Sequence, residues 1–522
     1  MKKTKYMLWA GTLALSLLLH QKIVAQSSIR QINTPSSIEL TNSLALWLNT
    51  QNAAGLSIDR MNSFNEASLL YAHTNGKYKM NAEGEKERLF GFNTSGSLVL
   101  GQMYLWGDFS YGNEYLTNTL FNTNQIKVRR NMPYFVADPN MSDWTRQTYH
   151  LNMKAASQKL FDVLNLGLNM EYQNQVGAKQ MDPRSSGYNY EVTVKPALLF
   201  NFATNHNLGL TGIYYNYKSN SSTTNSDTQV NQLVYVLKGM GFYYEDHVGG
   251  MVSLNPFNHT ANQLGGELAY GFHTGNMDLV LTAAYSKKIE DIIQSPTRPQ
   301  MEGSVIEKNT AINLQALFKG SMVHKFSLSY DNNQIDGVQY VQELDRTYEV
   351  QQWITKFKSI RSSFADKDFY AGYDVLAGVD AEYKWRAGVF FNHHILSDIY
   401  YLPLSTMDWK STTLGIQAKY NANLGNNSRL LIGANFALKN VNDNAKYVYT
   451  GPNPNSPVIK EFFEKDFAMA VNNNTKIGGE VALSIPVRTY TSLYLKAVYD
   501  YYKASKIDVT RTCAHFALGI IF

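Results

Sequence analysis

The sequence is poor in cysteine, in charge and in long apolar runs. Cys513 is the single cysteine among 522 residues, so no disulfide can form within the chain. Only 17% of the residues are charged, and beyond residue 25 there is no apolar run of the length that a transmembrane helix needs. The folded chain must therefore be held together by backbone pairing and packing.

The first 25 residues have the pattern of a secretory signal peptide. Three lysines precede an apolar run from Met7 to Leu19, and the small residue Ala25 ends the segment. The alternative is an uncleaved membrane helix, for which the run is short compared with the roughly 20 residues needed. The segment contains four lysines and no acidic residue, so its removal lowers the net charge from +5 by 4 to +1. No nucleic-acid partner is predicted for so weakly charged a chain.

Period-two alternation of apolar and polar residues runs through the rest of the chain. On one stretch Leu166, Leu168 and Met170 alternate with Asn169 and Glu171. Successive side chains of a strand point to opposite faces, so each such stretch predicts a strand with one apolar face. The pattern predicts an all-β protein.

Connections between the predicted strands alternate between short turns and long polar segments. Turns are predicted near residues 100–102, 274–276 and 384–388, whereas 218–261 and 332–367 are predicted as long loops. This alternation is typical of transmembrane antiparallel β-barrels of the outer membrane. A soluble sandwich of this length would instead split into several domains. We predict one barrel over residues 63–522, with about 18 strands in a range of 14 to 18.

The predicted strand faces give a set of lumen-lining candidates that carry both signs of charge. Mixed charge argues against a strongly charge-selective pore and is equally compatible with ion pairs that block it. The candidate lumen-lining residues are Glu171, Lys195, Glu267, Asp380, Lys419 and Arg511.

The final stretch, TRTCAHFALGIIF, places apolar residues on one face of a last strand. Phe516, Leu518, Ile520 and Phe522 share that face. This ending resembles the C-terminal signal of bacterial outer-membrane proteins, which implies recognition by the outer-membrane insertion machinery. Outer-membrane lipid and that machinery are therefore the predicted partners, together with other envelope proteins as candidates.

A second resemblance lies near the start of the predicted barrel. The stretches LNTQNAAGLSIDRMNSFNEASLLYAHTNGKY (48–78) and FGFNTSGSLVLGQMYLWGDFSYGNEY (90–115) resemble a Bacteroidota family of outer-membrane barrels known by a domain-of-unknown-function label. The piece Asn52 to Leu56 is also similar to the NPAGL of long-chain fatty-acid transporter barrels, with Ala53 in place of proline. Neither resemblance supplies a substrate.

Residues 26–62 are predicted to form an N-terminal segment on the periplasmic side of the barrel. Between Pro35 and Gly55 the residues Ile38, Leu44 and Leu48 lie on one face at helical spacing, which predicts a short amphipathic helix. The segment could plug the lumen, or it could simply pack against the barrel. The sequence leaves both alternatives open.

Candidate catalytic or metal-binding groups do not converge in the sequence. His393 and His394 are adjacent, and a strand would point them to opposite faces. Asp246 and His247 lie in a long loop with no identifiable third ligand. No catalytic residue, metal or cofactor is predicted, and the chain is not predicted to be an enzyme.

Two functions remain open at this stage. The first is a passive or gated channel or transporter for a small solute. The second is a non-transporting barrel that serves as an accessory or docking component of an envelope uptake or secretion complex. The predicted location for either function is the cell outer membrane.

Overall fold

The computed structural model describes residues 34–61, 63–123, 132–227, 229–249, 256–295, 298–347, 349 and 351–522. The predicted signal peptide, residues 1–25, lies outside the described residues. Among the described residues, none of the helices has the length and apolar character needed to cross a membrane.

Eighteen antiparallel strands close into a barrel, as predicted from the sequence. Each strand pairs with the next along the barrel, and the last pairs with the first, so there is no open sheet edge and the wall satisfies its own backbone groups. The barrel strands are β1 (Phe64–Gly76), β2 (Lys86–Leu100), β3 (Met103–Thr119), β5 (Ser142–Ser157), β6 (Leu164–Lys179), β7 (Arg184–Ala203), β8 (His206–Thr224), β11 (Phe257–His273), β12 (Met277–Gln294), β13 (Gln300–Lys319), β14 (Met322–Asp345), β15 (Gln352–Ala377), β16 (Trp385–Tyr400), β17 (Ser405–Gly425), β18 (Ser428–Val441), β20 (Asn474–Arg488), β21 (Thr491–Ala504) and β22 (Thr510–Ile521).

The remaining elements are not part of the barrel wall. A three-stranded sheet is formed by β4 (Val136–Ala137), β9 (Gln232–Gly239) and β10 (Phe242–Val248), and the short strand β19 (Lys446–Val448) pairs with β17. The helical elements are α1 (Pro35–Leu44), two 3₁₀ turns (Trp47–Asn49 and Ala53–Gly55), α2 (Leu56–Asp59), a π-helix (Val458–Phe463) and α3 (Glu464–Ala470).

The closing seam joins β1 to β22. The pairing runs from Glu66 opposite Ile521 to Gly76 opposite Arg511. Beyond it, the backbone N–H of Asn65 donates to the carbonyl oxygen of Phe522 at 2.8 Å, and the N–H of Phe522 returns a bond to Asn65 at 2.9 Å. The first and last barrel strands, β1 and β22, are therefore paired along almost their whole length.

Alternating burial defines the two faces of the wall. On β6, Leu166, Leu168 and Met170 are exposed, whereas the intervening Asn169 is buried. Exposed large apolar side chains recur with the same period on the other barrel strands. The apolar face thus points outward and the more polar face points into the lumen.

The two ends of the barrel differ in their connections. At one end, the short-turn end, neighbouring strands are joined by two to seven residues. At the other, the long-loop end, the longest connections are residues 225–256 and 442–473.

Two predicted connections are corrected by the structure. Residues 332–367 are largely strand, because β14 and β15 have 24 and 26 residues and pair far beyond the length that crosses a bilayer. The turn expected at 384–388 lies at 378–384 instead, where Gly378 adopts a φ of 64° that favours glycine.

Candidate functional site

Residues 34–61, here named the N-terminal segment, lie inside the barrel at its short-turn end. Leu40, Leu46, Trp47 and Ala54 form one apolar cluster with lumen-facing wall residues. The wall residues of this cluster are Ala197, Leu199, Ala269, Val280, Leu317, Val323, Leu376, Leu431 and Ala482, with Tyr383 from a short turn. Because these residues come from strands between β7 and β20, the segment lies within the ring of strands.

Two wall glycines make room for the segment. A Cβ added at Gly167 would lie 2.1 Å from the backbone nitrogen of Ala54, and one added at Gly271 would lie 2.5 Å from the ring of Trp47. Side chains cannot approach so closely, so glycine at these positions permits the contact.

Polar wall side chains bind the backbone of the segment. The Lys154 ammonium donates to the carbonyl oxygens of Leu48 at 2.6 Å and Thr50 at 3.0 Å. The Gln51 N–H donates to Glu267 at 3.2 Å. Asn52 donates from its side-chain amide to wall carbonyl oxygens at 3.0 and 3.3 Å. These bonds satisfy backbone groups that would otherwise be buried without partners.

The carboxylate of Glu39 on α1 is the centre of a charged network. It accepts hydrogen bonds from the Tyr383 hydroxyl at 2.7 Å and from the Lys419 ammonium at 2.9 Å. Arg386 and Lys496 lie 3.9 and 3.8 Å from it. Lys419 and Lys496 also pair with Glu480 at 2.8 and 2.7 Å. One carboxylate of the segment is thus surrounded by donors from several parts of the wall.

Helix α1 is shorter than the predicted 35–55 and ends at Leu44. It begins with a capping box in which Thr34 and Ser37 exchange bonds. Beyond its end, the N–H groups of Trp47 and Leu48 donate to the Asp59 carboxylate at 3.2 and 2.7 Å, which gives them non-helical partners. Burial raises the pKa of Asp59 to about 7, against the lowering effect of those bonds. The chain is therefore folded back on itself at this point.

A second structure, here named the loop cover, packs on the wall at the long-loop end. It comprises the sheet β4–β9–β10 with residues 132–138 and the helical pair Val458–Phe463 and α3. One face of the sheet packs on the wall, where Phe242 stacks on Tyr400 with ring centroids 4.0 Å apart. The wall residues in this apolar cluster are Phe257, Ile292, Val305, Ile335, Phe364 and Tyr400.

The other face of the sheet packs against the π-helix. Phe121 and Phe135 contact Phe462, with the rings of Phe121 and Phe462 stacked at 5.0 Å. Helix α3 is fixed to the β1–β2 loop by Asp466, whose carboxylate accepts the backbone and side-chain N–H groups of Asn81, each at 2.8 Å. Burial raises the pKa of Asp466 to about 7. The loop cover therefore has apolar contacts on both faces.

The sequence-predicted lumen residues fall into two groups. Glu171 pairs with Lys195 at 2.6 Å, Glu267 binds the N-terminal segment, and Lys419 joins the Glu39 network. Arg511 instead pairs with Glu87 at 3.1 Å on the neighbouring hairpin, away from these contacts.

Asp380 lies in the short turn between β15 and β16, where its N–H donates to the Glu382 carbonyl oxygen. It is therefore not on a strand. In the same turn, the Glu382 side chain accepts bonds from Thr34 and Ser36 of the N-terminal segment at 3.0 Å each.

Among the described residues, Asp366, Asp368 and His394 form a group that could hold a metal ion. His394 Nδ1 lies 2.9 Å from Asp368 and 3.2 Å from Asp366, and its ring packs on Trp409. His393 faces the other side and bonds Thr412. The spacing Asp366-Lys367-Asp368 was the signal that the sequence offered, because alternate residues of a strand share a face; the pairing of Asp368 with His394 is visible only in the sheet register.

The residues of the predicted insertion signal lie on β22 and at its end. Phe516, Leu518 and Phe522 are exposed, Ile520 is partly exposed, and the intervening Ile521 is buried. Their role in membrane insertion stays a prediction.

A closed 18-stranded wall with an outward apolar face defines an outer-membrane β-barrel. Residues 53–522 match the model of DUF6850, a family of unknown function, and the chain belongs to that family. No curated protein sequence matches the chain. The source in Bacteroidota and the similarity to fatty-acid transporter barrels stay predictions.

Several solved barrels are similar in structure. The ferric yersiniabactin uptake receptor FyuA from Yersinia pestis has 10% identity and a TM-score of 0.42, covering 88% of this chain and 79% of its own. The ferric preacinetobactin receptor BauA from Acinetobacter baumannii has 8% identity and a TM-score of 0.39, with coverages of 88% and 80%. The RagAB peptide importer in its closed-closed state has 8% identity and a TM-score of 0.39, with coverages of 88% and 86%. Values this low support no conclusion about substrate.

Proposed function

We propose that the protein is a gated outer-membrane channel or transporter for a small solute, and that the N-terminal segment is its gate. The observation that carries this proposal is the position of residues 34–61 inside the ring of strands, in contact with wall residues from β7 round to β20. In this proposal the short turns face the periplasm, as is usual for outer-membrane barrels. The segment then closes the periplasmic mouth.

The way in which the segment is bound suits a part that moves. None of its described residues belongs to a strand, so its removal would break no wall pairing. Its contacts are side-chain packing, a few hydrogen bonds and the Glu39 network. The lumen-facing polar residues of the wall would be solvated by water if the segment left.

A non-transporting docking barrel is the second candidate. The loop cover favours it, because that cover packs on wall residues at the other end of the barrel as well. The β14–β15 hairpin, which extends past the neighbouring strands, would then be a surface for an envelope partner.

Conductance in planar bilayers distinguishes the two candidates. The full chain is compared with a variant that lacks residues 34–61, after both are shown to be folded by heat-modifiable mobility. We expect the deletion to convert rare or absent openings into sustained stepwise conductance. A folded deletion variant that conducts no more than the full chain would contradict the gate and favour the docking barrel.

A single substitution provides a milder version of this test. In Gly167→Ala the new Cβ would meet the backbone of Ala54, so the segment should be displaced while the wall remains paired. Gly212→Ala is the matched control, because its Cβ would lie an ordinary 3.6 Å from Pro196. We expect more frequent openings in Gly167→Ala only. Equal opening frequencies in the two variants would contradict the proposed role of the N-terminal segment as the gate.

A further inference from the structure

The outer face of the wall carries lysines in an unusual arrangement on β12 to β17. On β12 the exposed Lys287 follows the outward-facing Leu281 and Tyr285 at the same period, and on β17 the exposed Lys410 precedes Leu414. Lys308 on β13 and Lys367 on β15 also share the parity of outward-facing apolar residues, Ile312 and Phe369. These four residues are here named the lysine patch: Lys287, Lys308, Lys367 and Lys410.

The strand register brings the patch together as two pairs. Lys287 lies directly opposite Lys308 on the neighbouring strand. Lys367 and Lys410 lie on either side of Ile395, which is opposite both. Like charges directly opposite one another on a sheet are destabilising, so the pair Lys287 and Lys308 calls for an anion.

The described residues provide few carboxylates that could neutralise these lysines. Lys308 lies 3.4 Å from Asp336, which also accepts a bond from Ser363. No carboxylate among the described residues lies within 4 Å of the ammonium group of the other three lysines. Lys288, the inward-facing neighbour of Lys287, pairs with Glu307. The inward Lys288 is thus paired with a carboxylate, whereas three of the four lysines of the patch have no such partner among the described residues.

Nearby acidic groups on the outer face have partners of their own. Asp408, two residues from Lys410, accepts a bond from Ser397 at 2.7 Å and lies 3.9 Å from Lys446. Asp291 accepts a bond from Ser304. Serine leaves these carboxylates charged, but the four lysines outnumber Asp291, Asp336 and Asp408, so the patch keeps a net positive charge on the outer face.

The height of the patch matches the boundary of the membrane. Lys287 lies ten residues along β12 from Met277, and Lys367 lies ten residues from Ala377 at the short-turn end of β15. Ten residues at about 3.4 Å each, in a strand inclined by about 40°, rise roughly 26 Å, and the apolar band of such barrels is about 25 Å tall. Lys287 and Lys367 therefore lie where lipid head groups begin, at the long-loop end, and the strand register places Lys308 beside Lys287 and Lys410 two strands from Lys367.

We propose that the lysine patch binds the phosphorylated head group of lipopolysaccharide in the outer leaflet. Acyl chains would pack on the outward apolar residues below, such as Tyr285, Ile312 and Phe369, while phosphate groups would contact the lysines. The two lysine pairs are separated by about three to four strand spacings, roughly 14 to 19 Å. A large head group with more than one phosphate spans that separation, whereas the single phosphate of a glycerophospholipid reaches one pair.

The test measures lipid binding by the full-length barrel in detergent. The probes are lipopolysaccharide, the same lipid after enzymatic removal of its phosphates, and phosphatidylglycerol, each quantified by native mass spectrometry and by equilibrium competition. In the test variant all four lysines of the patch are changed to Gln. The control variant carries the same number of changes on other strands, at the outward cations Lys86, Arg88, Lys218 and Lys503, each also to Gln.

We expect lipopolysaccharide to bind the test variant at least about tenfold more weakly than the wild type, and the control variant within about twofold of it. Binding to the wild type should fall with added salt, because exposed charges are screened. Equal binding by the test variant and the wild type would overturn the proposal. Equal affinity for the dephosphorylated lipid would overturn the role of phosphate, and lysine-dependent binding of phosphatidylglycerol at the same affinity would overturn the assignment to lipopolysaccharide. Heat-modifiable mobility confirms that each variant is a closed barrel.

Discussion

The two ends of the lumen are occupied by structures of different kinds. The N-terminal segment is one continuous stretch, contains no strand, and is bound by wall side chains around it. The loop cover belongs to several connections between wall strands, including those that hold β9–β10 and α3, and contains its own three-stranded sheet. The N-terminal segment is thus bound in the lumen without being part of the wall, whereas the loop cover is continuous with the wall strands.

This difference affects how each structure can respond to the loss of one contact. The segment relies on a few sites, chiefly the cluster around Trp47 and the charges around Glu39. The loop cover is continuous with the wall on both sides of each connection, so a lost contact can be absorbed by the others. We expect substitutions in the segment to release it, whereas equivalent substitutions in the loop cover should only loosen it.

The largest effect is expected for truncation of Trp47, which is buried in the lumen. Trp47→Ala removes a large side chain from the apolar cluster and should destabilise the seated segment by about 3 to 5 kcal/mol. Phe242→Ala removes a buried aromatic ring from the loop cover and is the matched change at the other end. Hydrogen exchange of residues 34–61 and of β9–β10, with conductance, measures both.

Trp47→Ala should lose exchange protection over the whole segment and increase conductance. Phe242→Ala should lose protection only near its own position, with conductance close to that of the full chain. If Phe242→Ala opened the barrel as much as Trp47→Ala, the proposed difference between the N-terminal segment and the loop cover would be wrong.

A smaller effect is expected for the charged contact. Glu39→Gln keeps the shape of the side chain but removes the charge that Lys419 and Tyr383 contact, with Arg386 and Lys496 close by. Because cations that are partly buried would lose a partner, we expect a cost of about 2 kcal/mol to the seated segment. The measurement is the opening frequency of single channels at low and high salt.

Glu464→Gln on α3 is the comparison at the other end. Its carboxylate pairs with Lys460 at 2.6 Å, and both side chains are close to half exposed. Exposed pairs contribute little, so no change in opening frequency is expected. Should the two variants open equally often, the Glu39 network would not be what holds the segment.

The fold was largely predictable because it depends on local period and on turn length. The alternation seen around Leu166 to Tyr172 recurs on most barrel strands and is set by the apolar environment outside, so about 18 strands could be counted. The long hairpin of β14 and β15 was missed because it extends beyond the lipid, where the outward face need not be apolar. Residues 332–367 therefore have the composition of a loop.

The lumen contacts were less predictable because they join residues far apart in the sequence. Glu39 and Lys419 are separated by 380 positions, and Trp47 meets Gly271 only once the barrel has closed. The sequence indicated a helical face but not the return of the chain at Asp59, since that turn depends on one carboxylate binding two N–H groups. The sequence therefore identified the apolar residues of the segment but not the wall residues that they contact.

The smallest effect, and the one that separates the two ends most finely, concerns pH. Asp59 in the segment and Asp466 in the loop cover are both buried, and burial raises the pKa of each to about 7 from an ordinary 3.8. A carboxyl group with a raised pKa in the folded state favours folding when protonated. Its contribution is fully present below about pH 4, falls as the pH rises, and is lost above about pH 7.

We therefore expect residues 34–61 and 464–470 both to lose exchange protection between pH 5 and pH 8, after correction for the intrinsic exchange rate. Trp47 and Leu48 donate to different oxygens of Asp59, so Asp59→Asn keeps an acceptor for only one of these N–H groups. Because asparagine cannot ionise, the variant should abolish the pH response of the segment alone. Asp466→Asn should do the same for α3 alone. Because the segment contains no wall strand and α3 lies in a connection between two wall strands, only the response at Asp59 should extend to conductance, with more openings at pH 8 than at pH 5. A conductance response that survives Asp59→Asn and disappears in Asp466→Asn would place the moving part at the long-loop end.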